Sequence, residues 1–600
     1  MSEPRFGITP DLPSPSSALL LCEEQTTDEE RKIVRLLDFF AIPWKAQMGP
    51  NGDMDQCRGR YAIISSADCL ASVMEAEGVG MAVPPCITKA SSVYVYGFQA
   101  NEGSTKLLRF LTGNPQANVR AIHAPETVMM IAGDSSQICG PMSGMQVRVT
   151  LQAPGYFCDV GFGGKRFQSI VRAGEGEIFG TVTCSGVPFY LSPWNRVVDI
   201  SALSQGYFDV RKCFCEAVPL ILFLRWTFPD AAWGGGETSA SLIVDDPPLK
   251  RRYGFLDFGE ALDLMRVHNF ATTVAFIPWN WQRTHPDTLS LFQSHPESLS
   301  LVVHGCDHTA SEFAERSPSL LSRKIRVSKQ RMEHLRRRAS INADRIMVFP
   351  QGRFSPETGR ALKLNGFVAA VNTEVAPCAG AVNETTISDL WNIAIMRYGT
   401  FPIFTRRYSD HGIENFAFDS LLGKPCLITA HHADFRDHAQ NLVDLVAHLN
   451  SLRWRLVWRP LGEAIRRSFK IRRLDHDTSV IHMFSSSLVL ENPSSQPRKT
   501  IFLKEEGDSD RVYAVWVNNR RVEFSVEGEL LRVSQTILPG ETAKVRIVYR
   551  RDPGRVLDRD SIGNKIRVAA KRYLSEFRDN YVSRNDFLYE SASKLKHLMR

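Results

Sequence analysis

Apolar positions change their period repeatedly along this chain, and each change predicts a different architecture. Ala18 to Cys22 is a short apolar run, Thr27-Asp28-Glu29-Glu30 is a capping box, and Ile33, Leu36, Leu37 and Phe40 follow at helical spacing. With a second apolar run at Tyr61 to Ile64, this predicts a βαβ unit of a small doubly wound α/β domain. No glycine-rich phosphate loop follows the first strand, so a scaffold or partner module is expected there rather than a nucleotide site. Between Ser91 and about Asn195, runs such as Val93 to Tyr96 and Met145 to Leu151 alternate with Gly and Pro clusters and predict strands and turns. Ala217 to Leu224 reads as a buried strand, being less than half of the roughly 20 residues a membrane-spanning helix requires. Gly234-Gly235-Gly236 is the clearest flexible break, and a domain boundary is expected there.

Beyond that break, apolar strand-like runs end abruptly in polar residues. Ala240 to Val244 ends in Asp245-Asp246-Pro247-Pro248, where Pro247 stops the strand and the bend lets both carboxylates reach one site. Leu301 to Val303 ends in His304-Gly305-Cys306-Asp307-His308, two imidazoles four residues apart at the start of a helix or turn. Arg345 to Phe349 ends in Pro350-Gln351-Gly352-Arg353-Phe354, and Cys426 to Ala430 ends in His431-His432. Thr272 to Ile277 leads into Pro278-Trp279-Asn280-Trp281, indoles that can stack on sugar rings or simply pack. In parallel α/β sheets and barrels the strand carboxyl ends share one face, so these residues are expected to meet. Two imidazoles and one carboxylate make a three-ligand metal site with positions open for water and substrate, and the neighbouring acid can take a proton from that water.

After about Asp475 the period becomes that of half-buried strands, with Val545, Ile547 and Tyr549 alternating with Lys544, Arg546 and Arg550. Together with Val512 to Val517, Val522 to Val526 and the turn at Leu538-Pro539-Gly540-Glu541, this predicts a separate small β-sandwich. From about Ser561 the chain turns helical, with Ile566, Ala570, Tyr573, Leu574 and Phe577 on one face. That helix is expected to dock back onto the protein; peripheral contact with a membrane is the second reading, disfavoured because Glu576 and Asp579 mix with the basic residues.

Composition narrows the function classes. The 600 residues exceed one hydrophobic core, so several domains are expected. A net charge of +7 from 72 basic and 65 acidic side chains gives no argument for nucleic acid. Met1 to Pro15 lacks the basic start and apolar stretch of an export signal, and the 12 cysteines have no repeated Cys-x-x-Cys frame, which together lead to the expectation of a reduced, cytoplasmic protein without a transmembrane segment.

The order and intervals of the strand-end motifs resemble the NodB-homology polysaccharide deacetylases, carbohydrate esterase family 4, over about residues 236–470. The resemblance implies a distorted (β/α) barrel, preceded by the α/β and β-rich region 1–235 and followed by the sandwich at 475–552 and the helical segment 553–600. It implies Asp245 as general base, Asp246, His304 and His308 as ligands of a divalent metal, zinc first, and His431 as the acid that protonates the leaving group, with His432 beside it. Arg353, Trp279, Trp281 and His432 become candidate substrate contacts. The expected reaction is removal of acetyl groups from a sugar or polysaccharide precursor during polysaccharide biosynthesis. The rival is a chain that keeps the fold for carbohydrate binding or assembly but has lost turnover. The chain departs from the family where Ile243-Val244 replaces the usual Thr-Phe, and where Arg353 follows Pro350 instead of preceding it.

Overall fold

A computed structural model describes residues 15–23, 26–48, 60–75, 81–122, 125–151, 155–160, 167–204, 206–378, 384–452, 454–550 and 562–584. The expected βαβ unit forms. Strand Ser17–Cys22 is followed by helix Asp28–Phe39, whose cap is reciprocal: Thr27 Oγ1 accepts from the Glu30 amide and the Glu30 carboxylate accepts from the Thr27 amide. Strand Tyr61–Ser66 pairs parallel with Ser17–Cys22. The same sheet continues through Val93–Tyr96 and the parallel Val187–Ser192 into an antiparallel half, Gly176–Cys184, Phe167–Ala173, Glu126–Ile131 and Gln146–Thr150. The α/β opening and the β-rich stretch after it are therefore one sheet.

The strand reading of Ala217 to Leu224 is overturned. The run lies inside helix Phe214–Thr227, which is buried on every side. A segment apolar all round has no period to separate strand from helix, and its length decides for the helix. It packs under the N-terminal sheet, where the Phe223 ring lies 5.0 Å from Tyr94 and 5.3 Å from Tyr190, and one continuous apolar core joins it to the domain that follows. Gly234-Gly235-Gly236 is no free hinge either: Gly234–Gly235 pairs antiparallel with Phe469–Arg473, and a Cβ on Gly235 would fall 2.6 Å from the backbone of Gly423.

The next domain is built on parallel strands Ser239–Asp245, Thr272–Phe276, Leu299–His304, Ala343–Val348, Ala369–Asn372 and Cys426–Ala430. Closure comes from one short stretch used twice. Ile403–Thr405 pairs with Ala369–Asn372, and, one residue later, Arg407–Tyr408 pairs with Cys426–Ala430. The sheet thus runs round into a distorted (β/α) barrel, with Arg406 at the break between the two pairings. Helices such as Phe258–His268, Pro318–Ala339 and Pro356–Leu364 alternate with the strands and cover the outside.

The β-rich tail forms two sheets, one containing Phe469–Arg473, Thr478–Met483, Arg498–Glu505 and Leu530–Ile537, the other Ser487–Glu491, Thr542–Tyr549 and Val512–Val517. Ile481, Phe502, Val515, Val533 and Val545 fill the space between them as a sandwich core. Helix Ile562–Phe577 forms as expected, but it docks the other way round. Ile566, Leu574 and Phe577 are 64%, 68% and 58% exposed, whereas Arg572 and Asp579 are 7% and 2% exposed against the barrel. Beside the buried Val568, the docked face meets the barrel through ion pairs of Glu576 with Lys250 and Arg283 and of Asp579 with His432. Among the described residues no helix is long and apolar enough to cross a membrane.

Candidate active site

Strand register brings the motif residues to one rim. Asp245 pairs with Ala275, His304 with Val348, and Val244 with Ala430, so Asp245, His304 and the His431 that follows Ala430 all leave the barrel at its carboxyl end. Asp246 turns out of the strand at φ 58°, in the left-handed region, with its amide donating to the Ala275 carbonyl. That turn separates the two adjacent carboxylates.

Asp245 is buried and gripped from both sides of its carboxylate by Arg406, whose Nη1 and Nη2 donate to Oδ1 and Oδ2 at 2.7 and 2.6 Å. Burial pushes its pKa up, and the Arg406 charge with its hydrogen bonds more than reverses this, holding it at about 2. Asp246 has no such partner. Burial, with Asp245 and Asp579 nearby, lifts it to about 6 against the opposite pull of His431 and Arg572. Two neighbouring acids thus differ in proton affinity, with Asp245 held ionised by Arg406.

His304 ends its strand, buried, with Nδ1 3.1 Å from the Val348 carbonyl oxygen. A carbonyl only accepts, so the ring proton sits on Nδ1 and the Nε2 lone pair is left for a ligand. His308 lies at φ 55° in the loop after the strand rather than on a helix; its Nε2 is 3.8 Å from Asp246 Oδ2 and its ring centroid 4.9 Å from that of His304. Burial lowers both imidazoles, His304 to about 4 and His308 to about 2, so both are neutral donors.

The loop is shaped by a residue absent from the motif. Glu312, buried, accepts from the amides of Cys306, Asp307 and His308 at 2.9, 3.1 and 3.1 Å. Gly305, at φ 68°, lets it approach, since a Cβ there would fall 2.0 Å from Glu312 Oε1 and 2.4 Å from Pro350.

As they stand, no three His, Cys, Asp or Glu side chains among the described residues are close enough together to hold an ion. The donor set nonetheless suits a divalent metal. It offers one carboxylate and two neutral imidazoles, one with its tautomer fixed by a backbone carbonyl, and 3.8 Å between Asp246 and His308 is near the roughly 3.4 Å between neighbouring ligands of a tetrahedral zinc.

The other expected residues divide. His431 is close enough to act on the charge of Asp245, Asp246 and His304, while His432 turns away, 3.5 Å from Asp579 and stacked near Phe255. Trp279 faces the C-terminal helix, its ring 6.5 Å from Tyr573, whereas Trp281 stacks on His334 at 5.0 Å. Arg353 is exposed, and the guanidinium on Asp245 is that of Arg406. Sequence reasoning does not find Arg406, Glu312, Arg572 or Asp579. For Arg406 a signal exists: two arginines inside the apolar run Phe401 to Tyr408 have to find buried acids, and Arg407 does so on Asp419 at 2.7 Å.

No protein-family model matches the chain, and no curated protein matches it by sequence. Among solved structures it is similar to Agd3, described as a novel carbohydrate deacetylase, at 10% identity over 90% of this chain and 100% of that one, with a TM-score of 0.47. It is also similar to a family 4 carbohydrate esterase from Streptomyces lividans, at 12% identity over 36% of this chain and 88% of that one, TM-score 0.23. A third is BA3943 from Bacillus anthracis, described as a pseudoenzyme of the same family, at 8% identity over 37% of this chain and 63% of that one, TM-score 0.24. At these identities and scores the likeness bears on no residue's role, and each role rests on the side chains alone. Solved structures to which the chain is similar thus include a carbohydrate deacetylase, a family 4 carbohydrate esterase and a pseudoenzyme of that esterase family.

Proposed function

We propose that the barrel is a metal-dependent hydrolase that removes acetyl groups from a sugar or polysaccharide precursor. The observation that carries this reading is the division of labour on one rim: Asp245 locked by Arg406, and Asp246 beside two neutral imidazoles. Asp246, His304 and His308 would hold the metal, zinc first, which when bound polarises the acetyl carbonyl and makes a water more acidic.

The chain's own groups do the rest. Arg406 occupies one lone pair on each Asp245 oxygen and holds the carboxylate ionised and fixed in direction, and in this reading a remaining lone pair takes the proton from the attacking water. His431, at the end of the neighbouring strand, delivers a proton to the leaving nitrogen or oxygen. Trp279 and Arg353, each on a loop that follows a barrel strand, are kept as candidate substrate contacts; Trp281, stacked on His334, and His432, held by Asp579, are not assigned that role.

One observation favours the non-catalytic alternative, a carbohydrate-binding or assembly protein: the Arg572 guanidinium stands 3.4 Å from His308 Nδ1. Acetate release from a panel of acetylated sugars, with and without a chelator, separates the two. Chelator-sensitive release is expected; binding of the sugars with no release under metal supplementation would favour the alternative.

A further inference from the structure

Segment 562–584 lies across the mouth of the candidate site and touches the rim loops that carry it. On the loop after Asp246, Glu576 pairs with Lys250, Tyr253 donates its hydroxyl proton to Asp579, and the Gly254 amide donates to Asn580 Oδ1 at 2.7 Å. On the loop after Thr272–Phe276, Arg283 pairs with Glu576 and lies 4.3 Å from the Tyr573 ring centroid. On the loop after Leu299–His304, Lys571 Nζ donates to the His308 carbonyl at 3.1 Å, and Arg572 reaches both that carbonyl and Nδ1 at 3.4 Å. On the loop after Cys426–Ala430, Asp579 faces His432 Nε2 at 3.5 Å, and Arg436 donates to the Ser583 carbonyl at 3.0 Å. One segment therefore bridges four loops around a single opening.

The segment is held the reverse of the usual way. A helix that serves only to complete a core buries its apolar face. Here the acids Glu576 and Asp579 and the base Arg572 face inward, while Ile562, Ile566, Leu574, Phe577 and Tyr581 face solvent. Attachment is by ion pairs and hydrogen bonds to the rim, with Val568 the one buried apolar side chain among residues 562–584, and such a seat can be left without opening a large hydrophobic core.

We propose that segment 562–584 is a detachable cover of the candidate active site, with Arg572 seated over His308 and Asp579 over His432, and that it must lift for a substrate to reach the metal-ligating residues. The cover is an intramolecular regulator of access, and its polar contacts with the rim set how often the site opens.

The test uses the full chain. Glu576→Arg turns the ion pairs to Lys250 and Arg283 into repulsions. Carbethoxylation of individual histidines by diethyl pyrocarbonate, mapped by mass spectrometry, reports on the site without needing a substrate. His432, and His308 once the metal has been removed with a chelator, should react about fivefold faster or more in the variant, the factor that corresponds to losing one or two modest contacts, while the exposed His476 reacts at the same rate in both. Amide exchange of 562–577 is followed in the same samples. Released helix amides with unchanged His308 and His432 reactivity would overturn the proposal. So would a segment that stays protected when Glu576→Arg is combined with Asp579→Asn, because rim contacts would then not be what holds it. Acetate release, which rests on the deacetylase reading, should rise with imidazole reactivity; imidazoles uncovered without any acetate released would sink that reading and leave the cover standing.

Discussion

The pair Asp245–Arg406 concentrates the chemistry of the site in two buried residues. Removing one partner leaves the other charged and unpaired, so Arg406→Met should cost about 3–5 kcal/mol of stability, and Asp245→Asn in the same chain should restore most of it. Urea denaturation midpoints of the two single variants and the double variant measure this. Asp245→Asn alone should keep its metal and lose turnover about a hundredfold or more, the size typical of losing a general base, which metal analysis beside acetate release checks. His431→Ala should likewise keep its metal and slow departure of the leaving group. Among single residues, the place of Asp245, Asp246, His304 and His431 at the ends of barrel strands is legible because each stands where an apolar run stops, and a strand end is visible in sequence. Arg406 is not, because it lies within a strand-like run and acquires its partner only when the barrel closes around it.

The loop from Gly305 to Glu312 takes the turn rather than the helix of the two forms that the sequence leaves open. Two histidines four apart suggest a helical face, yet Gly305, His308 and Ser311 all have positive φ, and the loop is folded around the Glu312 carboxylate instead. Nothing in His-x-x-x-His distinguishes these forms, since the deciding group lies four residues beyond. Glu312→Ala would leave three inward-facing amides without an acceptor and should cost about 1–3 kcal/mol, or more given the charge lost. Because those amides flank His308, the variant should also hold less metal than wild type; a variant with the wild-type melting temperature and full metal content would contradict this role. Helix Phe214–Thr227 is the converse case, where uniform hydrophobicity hides the element type altogether.

Over the whole molecule, the order of parts is legible in the sequence and their joints are not. The sandwich is visible as a period of two, but its tie to the barrel depends on single side chains: buried Lys363 donates to Glu506 at 2.7 Å and lies 2.7 Å from Asp508, both on the sandwich side. Ending the chain after Arg473 would take Phe484 from the core it shares with Leu461 and Ile465 and uncover the apolar surface beneath, so the fragment should aggregate where the full chain stays soluble. A soluble, metal-loaded fragment would show instead that the sandwich is independent. The docking of helix Ile562–Phe577 is also beyond the sequence, because an apolar stripe does not say that the docked face meets the barrel through ion pairs. The deacetylase reading stands on Asp246, His304 and His308 holding a catalytic metal, which elemental analysis of the purified full chain beside its His304→Ala variant examines without any substrate. A divalent metal near one equivalent is expected in wild type, with a clear deficit in the variant and acetate release that tracks the metal; a variant that carries as much metal as wild type would contradict the assignment.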